Sequence, residues 1–549
     1  MSEIISIQDK SLKTNFDSLV KDTPPVENHD KESIDQKIDE LIKAFRDRGK
    51  DGPFENEKHK IDELTKLIKK IANCEYSKAE TEKLKQVFKK HFKLTIKLFD
   101  GFYQEERTEV IRKKRKQLQK KEIQEKITKL ENTKTGLLDI HTLLSGVSSA
   151  AHDIIEIVMA VAISLKMSLK DDTALLWVML VGPPSSDKTG TITTLLDDPD
   201  VYYLDTLTEN AFISGYVPDN KQPTQDLLAE LDKKCFIVKD FTTLFSLKAD
   251  TIKKILGDMC AIYDKRFSKY TGTRGKIEYE ASFSHLGCIT PVALSGHQIY
   301  MNIIGPRFLF YRILPLTNKQ LESGYEIAWS GADRKGNIKT LREHVSAYVW
   351  QLRNSEFTIK PETREQKEII NNLAEFLRHG RAVLKSTRQS FKNEEGKTIN
   401  YYEVSEVQTE EPWRALQQLQ ALIRCLAVVH KRDFITKHEI ELARRVVMSS
   451  MPVDRAEILC LFQHPEVVKN NHSLTRKQCS NLTGKSYNQA NRILSELEKI
   501  GLIEETPDFN SDNSTKTYCP KDEFRDLIVK PIDLIDHIEE IRGVTQNFS

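Results

Sequence analysis

The 549-residue chain is short of the features that mark secreted, membrane or metal-ribbon proteins. Its eight cysteines stand singly, and no C-x-x-C pair occurs, so zinc ribbons and thiol redox motifs have no support. Isolated thiols in a chain this large point to a reducing compartment. No apolar signal segment opens the sequence. The longest greasy stretches, Ile157–Leu165 and Ala174–Val181, fall short of the roughly 20 residues that span a bilayer. The expectation is a soluble, cytoplasmic protein without a membrane partner. Charge of one sign is also lacking: 83 basic and 81 acidic side chains leave +2, so partners must be read from where charges lie. Between Pro53 and about Lys134 glycine and proline almost vanish, which leaves little but helix for that stretch.

Length alone favours three or four domains. Residues 1–30 are polar and contain Pro24-Pro25, and read as a loose tail. Residues 31–135 read as a helical domain: Ile34, Ile38, Leu41, Ile42 and Phe45 share one helical face, as do Ile61, Leu64, Leu67, Ile68 and Ile71. Its last helix carries seven basic residues between Arg112 and Lys121 with no acid, which fits either a solvated face or nucleic-acid contact. Residues 136–325 change character. Leu175–Val181, Val201–Leu204, Cys235–Val238, Leu286–Thr290 and Phe308–Leu314 are strand candidates with helical stretches between the first few, as in an α/β fold with a parallel sheet. Residues 326–455 read as helical, interrupted by a polar loop near Asn393–Thr398, and 456–549 as a small separate domain.

The strongest chemical signal follows the first strand. Gly182-Pro183-Pro184-Ser185-Ser186-Asp187-Lys188-Thr189-Gly190 is a phosphate-binding loop, G-x-x-x-x-G-K-[ST], with Asp187 in place of its second glycine. Such a loop aims backbone N–H groups at phosphates ahead of a helix N-terminus. Lys188 would reach the terminal phosphates and the Thr189 hydroxyl would bind Mg²⁺, so the expected cofactors are ATP and Mg²⁺. Asp187 tolerates the unusual dihedrals, but its carboxylate opposes phosphate unless turned outward or paired. Cys235-Phe-Ile-Val-Lys-Asp240 ends a strand in an acid suited to a metal or water; a solvated Lys239–Asp240 pair is the plainer alternative. Leu286–Thr290 ends a strand in a hydroxyl that would sense the γ-phosphate. Arg307 and Arg312 follow and would stabilise phosphoryl charge in a neighbouring subunit, unless they are ordinary salt-bridge residues.

In this order the elements resemble an AAA+ ATPase, and within that class MCM-type helicases and P-loop ATPases of phages and mobile elements. The closer resemblance rests on Thr206-Leu-Thr-Glu-Asn-Ala-Phe-Ile-Ser-Gly215, Ile237-Val-Lys-Asp-Phe-Thr242 and Gly305-Pro-Arg-Phe-Leu-Phe-Tyr-Arg-Ile313, covers roughly residues 140–505, and departs at Asp187 and Pro306. It implies an AAA+ P-loop core, a helical lid with Arg414 contacting the γ-phosphate, and a hexameric homo-oligomer.

Two stretches suit DNA. Lys265–Phe283 alternates around Gly272-Thr-Arg-Gly275 as a β-hairpin, with Lys269, Arg274 and Lys276 near its tip for phosphates. An exposed hairpin kept soluble by charge is the other reading. Leu474–Leu482 and Ser486–Ile500 form a helix-turn-helix followed by strands at Gly501–Glu505 and Lys516–Cys519, resembling a winged helix. Ala490, Ile493, Leu494 and Leu497 face inward, and Tyr487, Asn488, Asn491 and Arg492 outward toward a major groove or a protein partner. The leading expectation is an ATP-driven helicase or translocase on DNA, for replication or maintenance of a mobile element or phage. A catalytically weak, nucleotide-gated scaffold acting as DNA-binding regulator or loader comes second. A defence ATPase docking a protein through its N-terminal helices comes third.

Overall fold

A computed structural model describes residues 31–48, 53–74, 76–171, 173–214, 226–296, 305–392, 398–507 and 516–532. The expected tail 1–30 and residues 393–397 and 508–515 lie outside the described residues. The chain divides into two compact units, residues 1–125 and 126–549.

The first unit is built from helices Lys31–Arg48, Glu57–Asn73, Lys78–Phe92 and the start of the 37-residue helix Ile96–Asn132. Asn56 and Ser77 cap two of them through side-chain oxygens that accept the N–H of His59 and Glu80. Ile34, Ile38, Leu64, Leu67, Ile68 and Ile71 are buried as the periodicity predicts, around an edge-to-face cluster of Phe88, Phe92 and Phe99. Ile61 is exposed instead. The basic run Arg112–Lys121 lies within the long helix, and of its charged side chains only Lys114 is buried.

The second unit is organised by a five-stranded, all-parallel sheet: β1 (Trp177–Val181), β2 (Val201–Leu204), β3 (Cys235–Val238), then, after the hairpin β4 (Arg266–Thr271) and β5 (Gly275–Glu280), β6 (Ser284–Ile289) and β7 (Leu309–Arg312). Their order across the sheet is β2-β3-β6-β1-β7. β1, β3 and β6 are buried at every residue, because helices cover both faces; this is why they read as unbroken apolar runs. One face carries an aromatic cluster of Trp177, Phe236, Phe241, Phe283 and Phe308 around His285. Burial pushes the His285 imidazole down to about 3, so this histidine is a neutral core side chain.

Helices Ala332–Asn354, Arg364–Gly380, Pro412–Val429 and Lys437–Ser449 pack against the other face in one continuous apolar core. A buried ion pair between Arg353 and Asp198, and a 2.9 Å hydrogen bond from Ser346 Oγ to the Thr194 carbonyl, fasten the first of these to the segment after β1. Of the polar interruption expected near Asn393–Thr398, residues 393–397 lie outside the described residues, and the chain on either side forms an antiparallel ribbon, β8 (Val383–Lys392) with β9 (Thr398–Gln408). Near the C-terminus, helices Arg476–Thr483 and Tyr487–Lys499 meet at Gly484, whose φ of +69° ends the first helix in the left-handed region. They stand beside a small antiparallel sheet ordered β10 (Leu474–Thr475), β12 (Lys516–Pro520), β11 (Ile503–Pro507). Ala490, Ile493, Leu494 and Leu497 are buried, as the helical spacing predicts. Among the described residues no helix is long and apolar enough to cross a membrane.

Candidate functional site

Because the sheet is parallel, the ends of β1, β3 and β6 emerge along one edge. Val238, Gly287 and Met179 lie level across the three strands, so Asp240, Ile289 and Val181 reach that edge together. The loop 182–187 leaves β1 there and enters a short helix, Lys188–Ile192, followed by a 3₁₀ turn, Thr193–Leu195. The Gly182 N–H donates to the Ile289 carbonyl at 3.2 Å, which ties the start of the loop beside Thr290. A Cβ on Gly182 would stand 2.5 Å from Ser186 Oγ and 3.0 Å from Ile313, so the turn requires glycine. Ser186 Oγ and Lys188 Nζ each donate to the Pro183 carbonyl at 2.8 Å, which closes the loop on itself.

Ser185 and Asp187 both adopt positive φ, 62° and 57°. Asp187 therefore takes the backbone conformation that glycine supplies in the usual motif. Its carbonyl accepts the N–H and the hydroxyl of Thr191, both at 2.9 Å, and starts the helix. Its carboxylate lies 3.9 Å from the guanidinium of Arg334, on helix Ala332–Asn354, and both side chains are about 40% exposed. Pro183, Pro184, Ser185 and Gly190 are exposed, whereas Lys188 is buried against the sheet edge.

Cys288 is the next-to-last residue of β6. Burial pushes its thiol up to about 12, an effect that Asp240 adds to and that Lys188 and a hydrogen bond with Thr189 oppose. Lys188, Thr189 and Asp240 are thus each near enough to Cys288 to act on its thiol, and Thr290 lies two residues beyond it. Two of these also hold structure. Asp240 caps helix Phe241–Phe245, its Oδ1 accepting the Thr242 N–H at 2.8 Å. Thr290 Oγ1 accepts the Ala293 N–H at 3.4 Å. Lys239 turns away to Asp205 at 3.4 Å.

The arginines lie elsewhere. Arg307 precedes β7, whose Leu309 pairs with Val178, so it stands level with Leu176. That is six residues, or roughly 20 Å at 3.3 Å per residue, from Gly182 of its own chain. Its guanidinium meets Asp264 at 3.2 Å. Arg414 shares this amino-terminal end of the sheet. Both arginines oppose the upward push that burial gives Cys260 and Tyr263, and the Tyr263 hydroxyl reaches the Leu175 carbonyl at 3.3 Å. The expected contact between Arg414 and the γ-phosphate is therefore not made toward its own loop. Arg312 pairs level with Val181; its side chain is half-buried, its guanidinium donates to the Met451 carbonyl at 2.6 Å, and burial lowers it to about 10.

A cleft of about 220 Å³ that sequence reasoning missed adjoins the loop through Ile313. Ala150, Ile154, Tyr311, Leu314 and Gln320 line it, with Asp153 and Arg445 joined at one wall. Its residues come from segments far apart in sequence, and no single motif signals it.

The hairpin forms as predicted, with Thr271 opposite Gly275. All three candidate phosphate ligands have a carboxylate partner, and they differ in exposure. Arg274 Nη1 donates to Asp226 at 2.9 Å and to the Ser214 carbonyl at 2.7 Å, and Tyr279 Oη donates to the same carboxylate at 2.8 Å. Lys269 lies 3.5 Å from Asp258. Arg274 and Lys269 are anchors of the hairpin rather than its free tip. Lys276 is 65% exposed beside Glu278, directly across from Tyr270, which is 78% exposed and was not anticipated. On helix Tyr487–Lys499, Tyr487, Asn488 and Arg492 are exposed. Asn491 is half-buried with its Oδ1 enclosed, so it does not belong to the outward face. Comparison with known protein families finds none that matches the chain, and no curated protein is significantly similar to it.

Proposed function

We propose that the protein is an AAA+ type ATPase that works on DNA as an oligomer. The observation that carries this reading is the order β2-β3-β6-β1-β7 in an all-parallel sheet, with a glycine-started loop after β1 and Asp240 and Thr290 ending the two strands beside it. Ligands of open parallel sheets bind outside the carboxyl ends of the strands, and this edge holds the lysine, hydroxyl and carboxylate that ATP·Mg²⁺ needs. The donor set fits the group: Lys188 Nζ rests on a loop carbonyl from which it can turn to a phosphate, and the Thr189 hydroxyl and the Asp240 carboxylate are oxygen ligands of the kind Mg²⁺ takes.

Bound ATP·Mg²⁺ would supply the phosphoanhydride. Lys188 would hold its terminal phosphates, Thr189 and Asp240 the metal, Asp240 the attacking water, and Thr290 the γ-phosphate side of the site. The cleft beside Ile313, which offers both apolar and polar side chains, would take the base. Arg307, with Arg414 beside it, would act on the site of an adjacent copy, since neither approaches the loop of its own chain. A ring of copies, probed by hairpins that present Lys276 and Tyr270, suits a strand threaded through its centre; stacking on Tyr270 and phosphate contact by Lys276 need no base sequence. The helix-turn-helix with its three-stranded sheet resembles a winged helix, and Tyr487, Asn488 and Arg492 form the face it would offer to DNA.

A nucleotide-gated scaffold with little turnover is the second reading. It is favoured by the single carboxylate at the end of β3, already used as a helix cap, where Lys239 turns to Asp205 instead of supplying a second acid. Steady-state hydrolysis with and without single-stranded DNA separates the two. DNA-stimulated turnover that disappears in Lys188→Ala supports the motor. Absence of turnover in the wild type, with nucleotide still altering DNA affinity, supports the scaffold.

A further inference from the structure

Outside the nucleotide site, the apolar core that packs helices on the sheet contains one polar knot. Glu156, on helix His152–Asp171, is completely buried, and three imidazoles face its carboxylate. Nε2 of His430 and Nε2 of His438 lie 3.1 and 2.9 Å from Oε2, and Nε2 of His141 lies 3.0 Å from Oε1. Behind His141, its Nδ1 is 2.8 Å from Nδ1 of His152. His430 ends helix Pro412–Val429, and His438 sits in the first turn of helix Lys437–Ser449. The connection between them is fixed by Tyr348 Oη donating to the Val429 carbonyl at 2.7 Å and by Arg432 donating to Glu439 at 2.8 Å. The nearest further charges are balanced locally, Glu439 by Arg432 and Asp153 by Arg445.

The geometry matches a coordination sphere. Ligands held about 2.0–2.1 Å from a tetrahedral ion stand about 3.3 Å apart, and two imidazoles bound through Nε2 put their ring centroids about 5 Å apart. Here the donor atoms of Glu156, His430 and His438 all fall within 4.8 Å of one another, and the two ring centroids are 5.0 Å apart at 73°. Both rings present the same nitrogen to the same oxygen. His141 and His152 stand behind the other carboxylate oxygen, in the place where an outer shell orients a ligating carboxylate.

We propose that Glu156, His430 and His438 form a binding site for one divalent transition-metal ion of the zinc class, with His141 as a positioning residue. Two imidazoles and one carboxylate suit zinc and its neighbours, whereas magnesium and calcium prefer sites made of oxygen alone. The ion joins the helix that leads into β1 to the two helices that follow β9, so its role is to fix how the lid helices sit on the sheet.

The test uses the purified full-length chain. Elemental analysis is expected to find about one zinc-class ion per chain. A chelator lowers the melting temperature, and Zn²⁺ but not Mg²⁺ restores it. Replacement by Co²⁺ gives the visible absorption of a tetrahedral site. His430→Gln and His438→Gln each weaken binding at least about tenfold, and His141→Gln weakens it less. If these variants do not fold, the Co²⁺ spectrum of the wild type decides. A folded wild type that holds no stoichiometric metal, and whose melting temperature ignores both chelator and Zn²⁺, overturns the proposal and leaves a hydrogen-bonded knot. Undiminished binding in the folded His430→Gln/His438→Gln double variant overturns it equally.

Discussion

Asp187 and Arg334 make a pair whose behaviour can be worked out in advance. The carboxylate occupies the one loop position where a negative charge opposes phosphate, and it is turned toward Arg334 at 3.9 Å. Both side chains are about 40% exposed, so an effective dielectric near 40, between the protein-surface and bulk-water values, is appropriate. At about 6 Å, a carboxylate then costs about 1.4 kcal/mol for each unit of phosphate charge not already balanced by Lys188 and Mg²⁺. Asp187→Gly should therefore tighten ATP binding about tenfold, and it removes a residue with a φ of 57° in favour of one without that conformational cost. Arg334→Ala in the natural chain should weaken binding, because the carboxylate loses its partner and the site loses a positive charge. In the Asp187→Gly background the same change should cost less. Isothermal titration of the four proteins with a non-hydrolysable ATP analogue gives the coupling directly. A coupling of about 0.5–1 kcal/mol is expected for a pair this exposed. Equal effects of Arg334→Ala in both backgrounds, or an Asp187→Gly affinity within twofold of wild type, would refute the reasoning that the natural loop is electrostatically tuned down.

Other consequences are checked more simply. Lys188→Ala should abolish nucleotide binding in the same titration while the circular dichroism spectrum stays unchanged, since among the described residues the ammonium bonds only to the Pro183 carbonyl within its own loop. Arg307→Ala should keep nucleotide affinity and lose turnover by about a hundredfold or more, and mixing it with Lys188→Ala should restore part of the activity through sites shared between copies. Arg274→Ala should lower stability by about 2 kcal/mol in urea denaturation, because Asp226 loses its cation while keeping Tyr279 and the Ser214 N–H. Lys276→Ala should leave stability alone and reduce the salt dependence of single-stranded DNA binding by about one unit of slope, and Tyr270→Ala should weaken binding with the salt slope unchanged.

These contrasts follow the line between what the sequence displays and what only the fold assembles. The three central strands are legible because burial on both faces produces runs such as Trp-Val-Met-Leu-Val, which little else in a polar chain imitates, and the half-buried edge strands β2 and β7 still read as short apolar runs. The helix-turn-helix is legible from Gly484, the Ser486 cap and the spacing of Ala490, Ile493 and Leu494. Charge pairing is not legible. Nothing local to Arg274 reveals that Asp226, 48 residues earlier, waits for it, and so a core-facing anchor reads as a phosphate ligand. Nor does anything local to Arg312 reveal the Met451 carbonyl to which it donates. The ribbon Val383–Gln408 hides because the polar stretch within it looks like a break between helices. The knot around Glu156 is invisible because its four nearest histidines lie between positions 141 and 438, each on an otherwise ordinary apolar helix.

The placement of Arg307 carries the argument from one chain to several. Moving it onto its own loop would need a displacement of roughly 20 Å along strands that are hydrogen-bonded at every step from Val178 to Val181. Such a shift would break β7 from β1 and empty the core of Leu309 and Tyr311, both buried. Burying two such side chains is worth about 3–6 kcal/mol before any hydrogen bond is counted, a large part of the stability of an ordinary domain. A lid movement does not achieve it either, because Arg381, which bonds the Phe308 carbonyl at 2.7 Å, ties the lid to this same end of the sheet. If Arg307 takes part in phosphoryl transfer, it does so in an adjacent copy. Activity should then rise with protein concentration more steeply than first order below the assembly threshold. Strict first-order dependence, with Arg307→Ala still inactive, would assign the arginine a role within its own chain.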